Sequence, residues 1–347
     1  MRFALLGVGS IGKVRRDAIL KTPGCSMTAV VDLNKDVAKE TAGSDAHVFD
    51  SLEEMLKADA CDAVVISTPT NFHAEQAIAC MESGKHVIVE KPMASNLEES
   101  KKMRDVSKQT GKVLSVGFNN RYYPAIKDIR NAINSSAIGK LSYIKAFGGH
   151  TGLSEFKAPW MYDKEIMGGG TMMDVGIHVL DLTQHLMGGV TSVTGMATND
   201  IWKLGESEDN AFALLRGHDN VVATYHSSWS EWKGYHFYIE AYGDKGMARA
   251  FYAPMSSTII TMDEPGGPSK TVTNRYIPAI FREKFLGWQT TAVNTFIDVH
   301  KDFIELTKGN DTGILATAED GVHVSDIAEG VYRSSVTGET FKVQKEG

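Results

Sequence analysis

Cysteine is scarce in this chain. Cys25, Cys61 and Cys80 are the three in 347 residues, an odd number at spacings that match neither a disulfide framework nor a zinc site, so no metal centre is expected. Reduced thiols in a cytoplasmic setting are the simple reading. Excess positive charge is lacking as well. Lys and Arg number 36 against 43 Asp and Glu, for a net charge of −7. That excludes a non-specific grip on nucleic acid or an anionic membrane surface, which would need a basic patch. No stretch approaches the roughly 20 apolar residues of a membrane span. The apolar run over residues 1–6 stops at Gly7, too short for the core of an export signal. The expectation is a chain that begins here and stays inside the cell. Repeats and low-complexity tracts are also missing. An apolar share of 42% and a charged share of 23% are those of an ordinary globular protein, and the length implies two domains.

What is present is strongly patterned. Continuous apolar runs at residues 3–6, 27–31, 63–67, 86–89 and 113–116 fit strands buried on both faces. Amphipathic segments at 74–83 and 97–110 end at Gly84 and Gly111, as helices closed by a left-handed residue do. This strand–helix repetition implies right-handed crossovers and a parallel sheet with helices on both faces. The pattern changes near residue 121. A helix is expected at 124–135, then strands at 141–147, 192–197, 211–216, 221–228, 237–242, 247–251 and 258–262. Several alternate polar and apolar residues, and short turns at 217–220 and 243–246 join them, so this half reads as an open, mainly antiparallel sheet. Helices are expected at 291–306 and 316–335, and the Pro/Gly-rich residues 263–270 as a surface loop. The expected division is an α/β domain over residues 1–120 and an α+β domain over residues 121–347.

Gly7, Val8, Gly9, Ser10, Ile11 and Gly12 fit the GxGxxG pattern between a strand and a helical run. Gly7 allows the tight turn, Gly9 lets the backbone approach a pyrophosphate, and Gly12 lets helix and strand pack closely. The free amides at the helix start then face the anion. Asp32, about 20 residues after Gly12 at the end of the second strand, is where an acid binds the adenosine ribose hydroxyls. A carboxylate there repels a 2′-phosphate. NAD is therefore expected over NADP, with Arg15 and Arg16 as the residues that could favour the latter.

Two further clusters carry chemistry. Glu90, Lys91 and Pro92 close the fourth strand, at the sheet edge where ligands sit. Pro92 biases Lys91 away from helix, and a lysine held there can donate to a substrate hydroxyl or carry its proton. The second cluster is the run Gly168, Gly169, Gly170, followed by Asp174 and His178. Four residues apart, the latter two share a helix face, where a carboxylate can fix an imidazole tautomer and support its charged form. The glycines would let the chain approach a flat ligand.

Taken together, and in this order along the chain, these pieces resemble the Gfo/Idh/MocA family (glucose–fructose oxidoreductase, inositol dehydrogenase, rhizopine catabolism). The likeness also rests on Thr68, Pro69, Thr70, Asn71, Phe72 and His73, on Gly243 to Gly246, and on the helix of Glu329 before Gly338. It implies a Rossmann fold in the first domain. The second domain's sheet would bind substrate and pack against another subunit's, giving a homodimer or homotetramer. Lys91, Asp174 and His178 are implied to face the nicotinamide, Thr68, Asn71 and His73 to line the cofactor cleft, and Glu90 to lie close to the ribose. Where many members carry an Arg after the Trp preceding the glycine run, this chain has Met161 after Trp160, which suggests an uncharged substrate.

The activity so implied is NAD-dependent oxidation of a secondary alcohol on a sugar, cyclitol or related polyol. Lys91, Asp174 and His178 are the catalytic candidates, with Asn120, Arg121, Tyr122, Tyr123, Trp160, Tyr162 and His236 as polar or aromatic residues suited to the ring. Three alternatives keep the fold: transient internal redox of epimerase, eliminase or glycosidase type; a non-catalytic NAD-binding regulator; and a dehydrogenase for another carbonyl class.

Overall fold

A computed structural model describes residues 1–152 and 158–344. The chain divides into two compact units, residues 1–122 with 282–322, and residues 123–281 with 323–347.

The first unit is a six-stranded parallel sheet of β1 (Arg2–Leu6), β2 (Ser26–Val31), β3 (His47–Phe49), β4 (Ala63–Ile66), β5 (His86–Val89) and β6 (Leu114–Val116). Its strand order is β3-β2-β1-β4-β5-β6, so the order reverses between β1 and β4. Every residue of β4, and all but the first of β1 and β5, is buried, which is why these strands read as unbroken apolar runs. Helices α1 (Ser10–Lys21), α2 (Lys35–Ala42), α3 (Leu52–Lys57), α4 (His73–Glu82) and α5 (Leu97–Thr110) connect them. Asn34, Ser51 and Asn96 accept amide hydrogens at the starts of α2, α3 and α5, supplying partners that a helix start lacks. β3 was not expected, because its three half-exposed residues make no apolar run.

The linear division at residue 120 also misses a return of the chain. The helix Gln289–Thr307 packs on α1, with Phe296 among Val14, Ala18, Ala292 and Val293, and Val299 and Phe303 in the core under β1. An amphipathic stripe tells which side of a helix is covered, not which sheet covers it.

The second unit is a nine-stranded sheet. Its strands are β7 (Leu141–Gly149), β8 (Val190–Thr198), β9 (Asn210–Gly217), β10 (Val222–Ser228), β11 (His236–Gly243), β12 (Gly246–Tyr252), β13 (Ser256–Met262), β14 (Ser269–Arg275) and β15 (Phe341–Lys342), in the order β14-β13-β12-β11-β7-β10-β9-β8-β15. All pairings are antiparallel except β7 with β10. Alternation sorts the side chains cleanly. Ala146, Ala211, Ala213, Ala223, Ile239, Ala248 and Ala250 are buried on the face that the helices Pro124–Asn134 and Ile177–Met187 cover. On the other face Tyr143, Phe212, Leu214 and Val222 are exposed. The surface loop expected to residue 270 ends sooner, because Ser269 already opens β14, an edge strand exposed along its length.

Candidate active site

The glycine loop lies between β1 and α1. Gly7 takes φ +85°, and a Cβ there would sit 2.8 Å from the Ser67 carbonyl. At Gly12 a Cβ would strike the Gly7 carbonyl. At Gly9 it would meet no protein atom within 4 Å. The loop is therefore tight against the sheet on one side and open at Gly9 and Ser10, both exposed. That is the shape a pyrophosphate on the first amides of α1 requires. Ile11 packs with the Val14 cluster. Asp32 accepts the Val8 amide on one oxygen and the Asn34 amide on the other, both at 2.8 Å, which holds its carboxylate beside the loop. The residues present thus fit a dinucleotide. The two arginines weighed above for a 2′-phosphate are engaged elsewhere. Arg15 is fully buried, 2.6 Å from Glu90 and stacked 3.6 Å over the Phe296 ring. Arg16 donates to the Thr41 carbonyl at 2.7 Å and pairs with Asp17.

Glu90 in turn accepts the Lys91 amide at 3.3 Å. The turn bearing Lys91 is thus tied through Glu90 and Arg15 to α1. Thr68 donates to Gln76 at 2.6 Å, and Asn71 is exposed in the short turn before α4. His73, expected to line the cofactor cleft, instead lies buried at 1% exposure, with its ring nitrogens 2.9 Å from the carbonyls of Pro92 and Thr68. Burial pulls its pKa below the ordinary histidine value. Its role is to bind the loops after β4 and β5 to each other.

In the second unit the glycine run leads into a π-helical turn, Met172–Gly176, and then into the helix Ile177–Met187. The Gly176 amide bonds five residues back to Thr171 at 2.9 Å. Such a widened turn is rare and concentrates at functional sites. Asp174 therefore sits in the turn rather than on the regular α-helix expected for it and His178. Its carboxylate accepts from His150 Nε2 at 2.8 Å and from Trp229 Nε1 at 3.0 Å, both on Oδ2. Neither partner was anticipated, since both arrive from strand ends remote in sequence.

The glycines also answer to something other than a flat ligand. A Cβ at Gly169 would strike the Tyr332 hydroxyl, one at Gly170 the Glu208 backbone, and one at Gly176 the Tyr225 hydroxyl. Glu208 is buried and accepts the amides of Gly170 and Met172 at 2.8 Å each and the Tyr332 hydroxyl at 3.1 Å. It caps the first amides of the turn from a distant loop. Burial pushes its carboxyl above the ordinary range, with the amides opposing, and raises the Tyr332 phenol too.

Several residues expected at the substrate are bonded to or packed on other protein groups. Arg121 is 2% exposed, pairs with Asp320 at 3.0 Å and donates to the Ile314 carbonyl. Tyr122 is in the first unit's core, its hydroxyl on Asp302 at 2.7 Å. Asn120 is buried beside them, and Tyr123 packs on Phe237 and Tyr252. His236 shares the open sheet face with Phe147, Tyr238 and Phe251, the face opposite to the helix that follows Asp174. A tyrosine or arginine near a domain boundary looks the same in sequence whether its polar tip meets a ligand or a neighbouring carboxylate. Trp160 is exposed in a short turn, and Tyr162 stands edge-on to Trp229, 5.4 Å away. Among the described residues, no group of His, Cys, Asp and Glu is placed to hold a metal, and no helix is long and apolar enough to cross a membrane.

Two family descriptions match the sequence: "Oxidoreductase family, NAD-binding Rossmann fold" over residues 1–118, and "GFO/IDH/MocA C-terminal domain" over residues 126–249. A myo-inositol 2-dehydrogenase of Thermotoga maritima is 28% identical over 86% of this chain and 87% of its own. A scyllo-inositol 2-dehydrogenase (NAD(+)) of Bacillus subtilis is 31% identical over 71% of this chain and 72% of its own. A solved levoglucosan dehydrogenase in complex with NADH and levoglucosan superposes with a TM-score of 0.87 at 23% identity, covering 99% of this chain and 100% of that one.

Proposed function

The chain belongs to the Gfo/Idh/MocA oxidoreductase family, with an NAD-binding Rossmann fold, and from that premise we propose that it oxidises a secondary alcohol on a sugar, cyclitol or related uncharged polyol. One observation carries the reading furthest: a buried carboxylate, Asp174, held by His150 and Trp229 in a π turn that opens the helix of His178. The likeness to two inositol dehydrogenases supports the substrate class.

NAD, when bound, supplies hydride acceptance. Gly7, Gly9, Ser10, Ile11 and Gly12 present amides to its pyrophosphate, and Asp32 receives ribose hydroxyls. His178 takes the proton of the reacting hydroxyl, and Asp174 supports the resulting imidazolium. Lys91 donates to the reacting oxygen and stabilises its developing charge. Trp160 and Tyr162 offer aromatic surface to a hydroxylated ring. A cytoplasmic setting, with Cys61 and Cys80 as buried thiols, belongs to the same reading.

The test is a polyol and sugar panel read at 340 nm, myo-inositol first, followed by Lys91→Met and His178→Ala on whichever compound turns over. NADH accumulation marks net oxidation. Turnover should fall about a hundredfold or more in each variant while NAD affinity stays unchanged. Undiminished turnover in both would remove the proposed chemistry.

The proposal extends to assembly. The open face of the second unit carries Met196 and Leu214, each 63% exposed, beside Phe212, Val222 and Tyr143. An apolar stretch of this kind marks an association surface, and a second copy of the sheet, packed face to face, suits it. Leu214→Glu should lower the mass measured by light scattering to that of a smaller species. An unchanged mass would place the association elsewhere.

A further inference from the structure

We propose that His150 is a positioning residue for Asp174, locked as a neutral hydrogen-bond donor so that the carboxylate keeps its charge for the imidazole four residues on. The inference rests on Asp174 and His178 acting as the acid–base pair.

His150 directly follows β7. Its amide donates to the Ser228 carbonyl at 3.0 Å, and its carbonyl accepts the Glu231 amide at 3.1 Å. The backbone is thus pinned to the end of β10 and the turn after it. The ring is 1% exposed. The Gly152 amide donates to Nδ1 at 2.9 Å. A backbone N–H can only donate, so Nδ1 carries no proton. The proton is therefore on Nε2, and that nitrogen donates to Asp174 Oδ2 at 2.8 Å. Gly152 reaches this position with φ +61°, where a Cβ would sit 2.7 Å from the Trp229 carbonyl and the Trp202 indole nitrogen.

The consequence is electrostatic. Trp229 Nε1 donates to the same oxygen, and an indole cannot be protonated further at any ordinary pH. Two neutral donors orient a carboxylate and favour its ionised form without cancelling its charge. With Nδ1 accepting from the Gly152 amide, His150 meets Asp174 as a neutral donor and not as a cation competing with an imidazolium at position 178. Among the described residues, the titratable groups packed around the pair include Glu208 behind the turn, Tyr162 edge-on to Trp229, Glu231, and Asp209. The last accepts the Trp229 amide on its carbonyl and the Ile201 and Trp202 amides on its carboxylate.

Three substitutions separate this role from a merely structural one. His150→Gln keeps an N–H near the position of Nε2 and loses the acceptor for Gly152. His150→Asn does the reverse. His150→Leu loses both. Each is measured for kcat, KM, the pH profile of kcat and NAD binding, on the polyol that turns over in the panel. We expect His150→Gln to stay within about threefold of the parent kcat. His150→Asn and His150→Leu should fall about tenfold or more, the scale of a hydrogen bond to a charged group. Their acid limb should move up by about one pH unit, because Asp174 loses a donor to its ionised form. NAD affinity should hold throughout. If His150→Asn keeps the parent kcat and acid limb while His150→Gln loses them, His150 serves only the Gly152 loop and the proposal is overturned. The same holds if all three keep the parent profile. A failure of the underlying acid–base reading shows separately, as undiminished turnover in His178→Ala.

Discussion

The loop at Gly7 and the turn at Asp174 are both glycine-rich, yet their glycines answer to different neighbours. In the first, the constraints are backbone ones within the sheet edge: a positive φ and the Ser67 carbonyl at Gly7, and at Gly9 a space with no protein atom within 4 Å. In the second, side-chain hydroxyls and the Glu208 backbone, from distant parts of the chain, fill the Cβ positions. Glu208 lies 38 residues from Gly170, and Trp229 lies 55 from Asp174. One region keeps open space at its centre. The other is filled by the protein's own buried polar groups.

The comparison can be broken most forcefully at the glycines themselves. Gly170→Ala drives a Cβ into the Glu208 backbone, which cannot swing aside, so the second unit should lose about 3 kcal/mol, in the range of severe overpacking. Gly9→Ala has free space and φ −64°. Its stability should stay within about 0.5 kcal/mol, while NAD affinity falls about tenfold because the methyl occupies the place of a pyrophosphate. Chemical unfolding and NAD titration of the two variants decide it. Equal losses of stability would erase the distinction between the two regions.

A smaller effect sharpens the contrast through pH. In the first unit His300 is fully buried. Thr22 donates to the Ala18 carbonyl, so His300 Nδ1–H donates to Thr22 Oγ1 at 3.3 Å and the ring is neutral. Burial, with Arg15 adding to it, lowers its pKa from 6.5 to about 3. The folded state then binds fewer protons than the unfolded one between these values, so stability falls as pH drops through that window. The loss should reach about 1 kcal/mol by pH 5.5. His300→Phe should flatten this slope in hydrogen exchange of the helix Gln289–Thr307. Glu208 works the other way: its raised carboxyl pKa makes the second unit less stable as pH rises above the ordinary glutamate value of 4.5. An acid slope that survives in His300→Phe would assign it to other groups.

Legibility followed the same divide. Strands β1, β4 and β5 were readable because both faces are buried, which leaves one apolar run each. The GxGxxG loop and Asp32 were readable because their spacing along the chain is their geometry in space. Lys91 could be placed at a sheet edge for the same reason. The π turn was not, since five-residue bonding has no signature in a glycine-rich segment. The protein partners of Arg121, Tyr122 and His236 were not readable, because a residue type shows what it can bond, while burial decides what it does bond.

From sequence alone follow the parallel sheet with its dinucleotide loop, the open antiparallel sheet and the family. These rest on short-range periodicity and on backbone needs met by neighbours in the chain. Only the tertiary structure decided that Gln289–Thr307 joins the first unit, that Arg15 is engaged with Glu90, and that His150 and Trp229 hold Asp174. Those are pairings of buried polar groups across long stretches of chain. Each must find some partner once water is excluded, and which partner it finds is known only when the fold has closed around it.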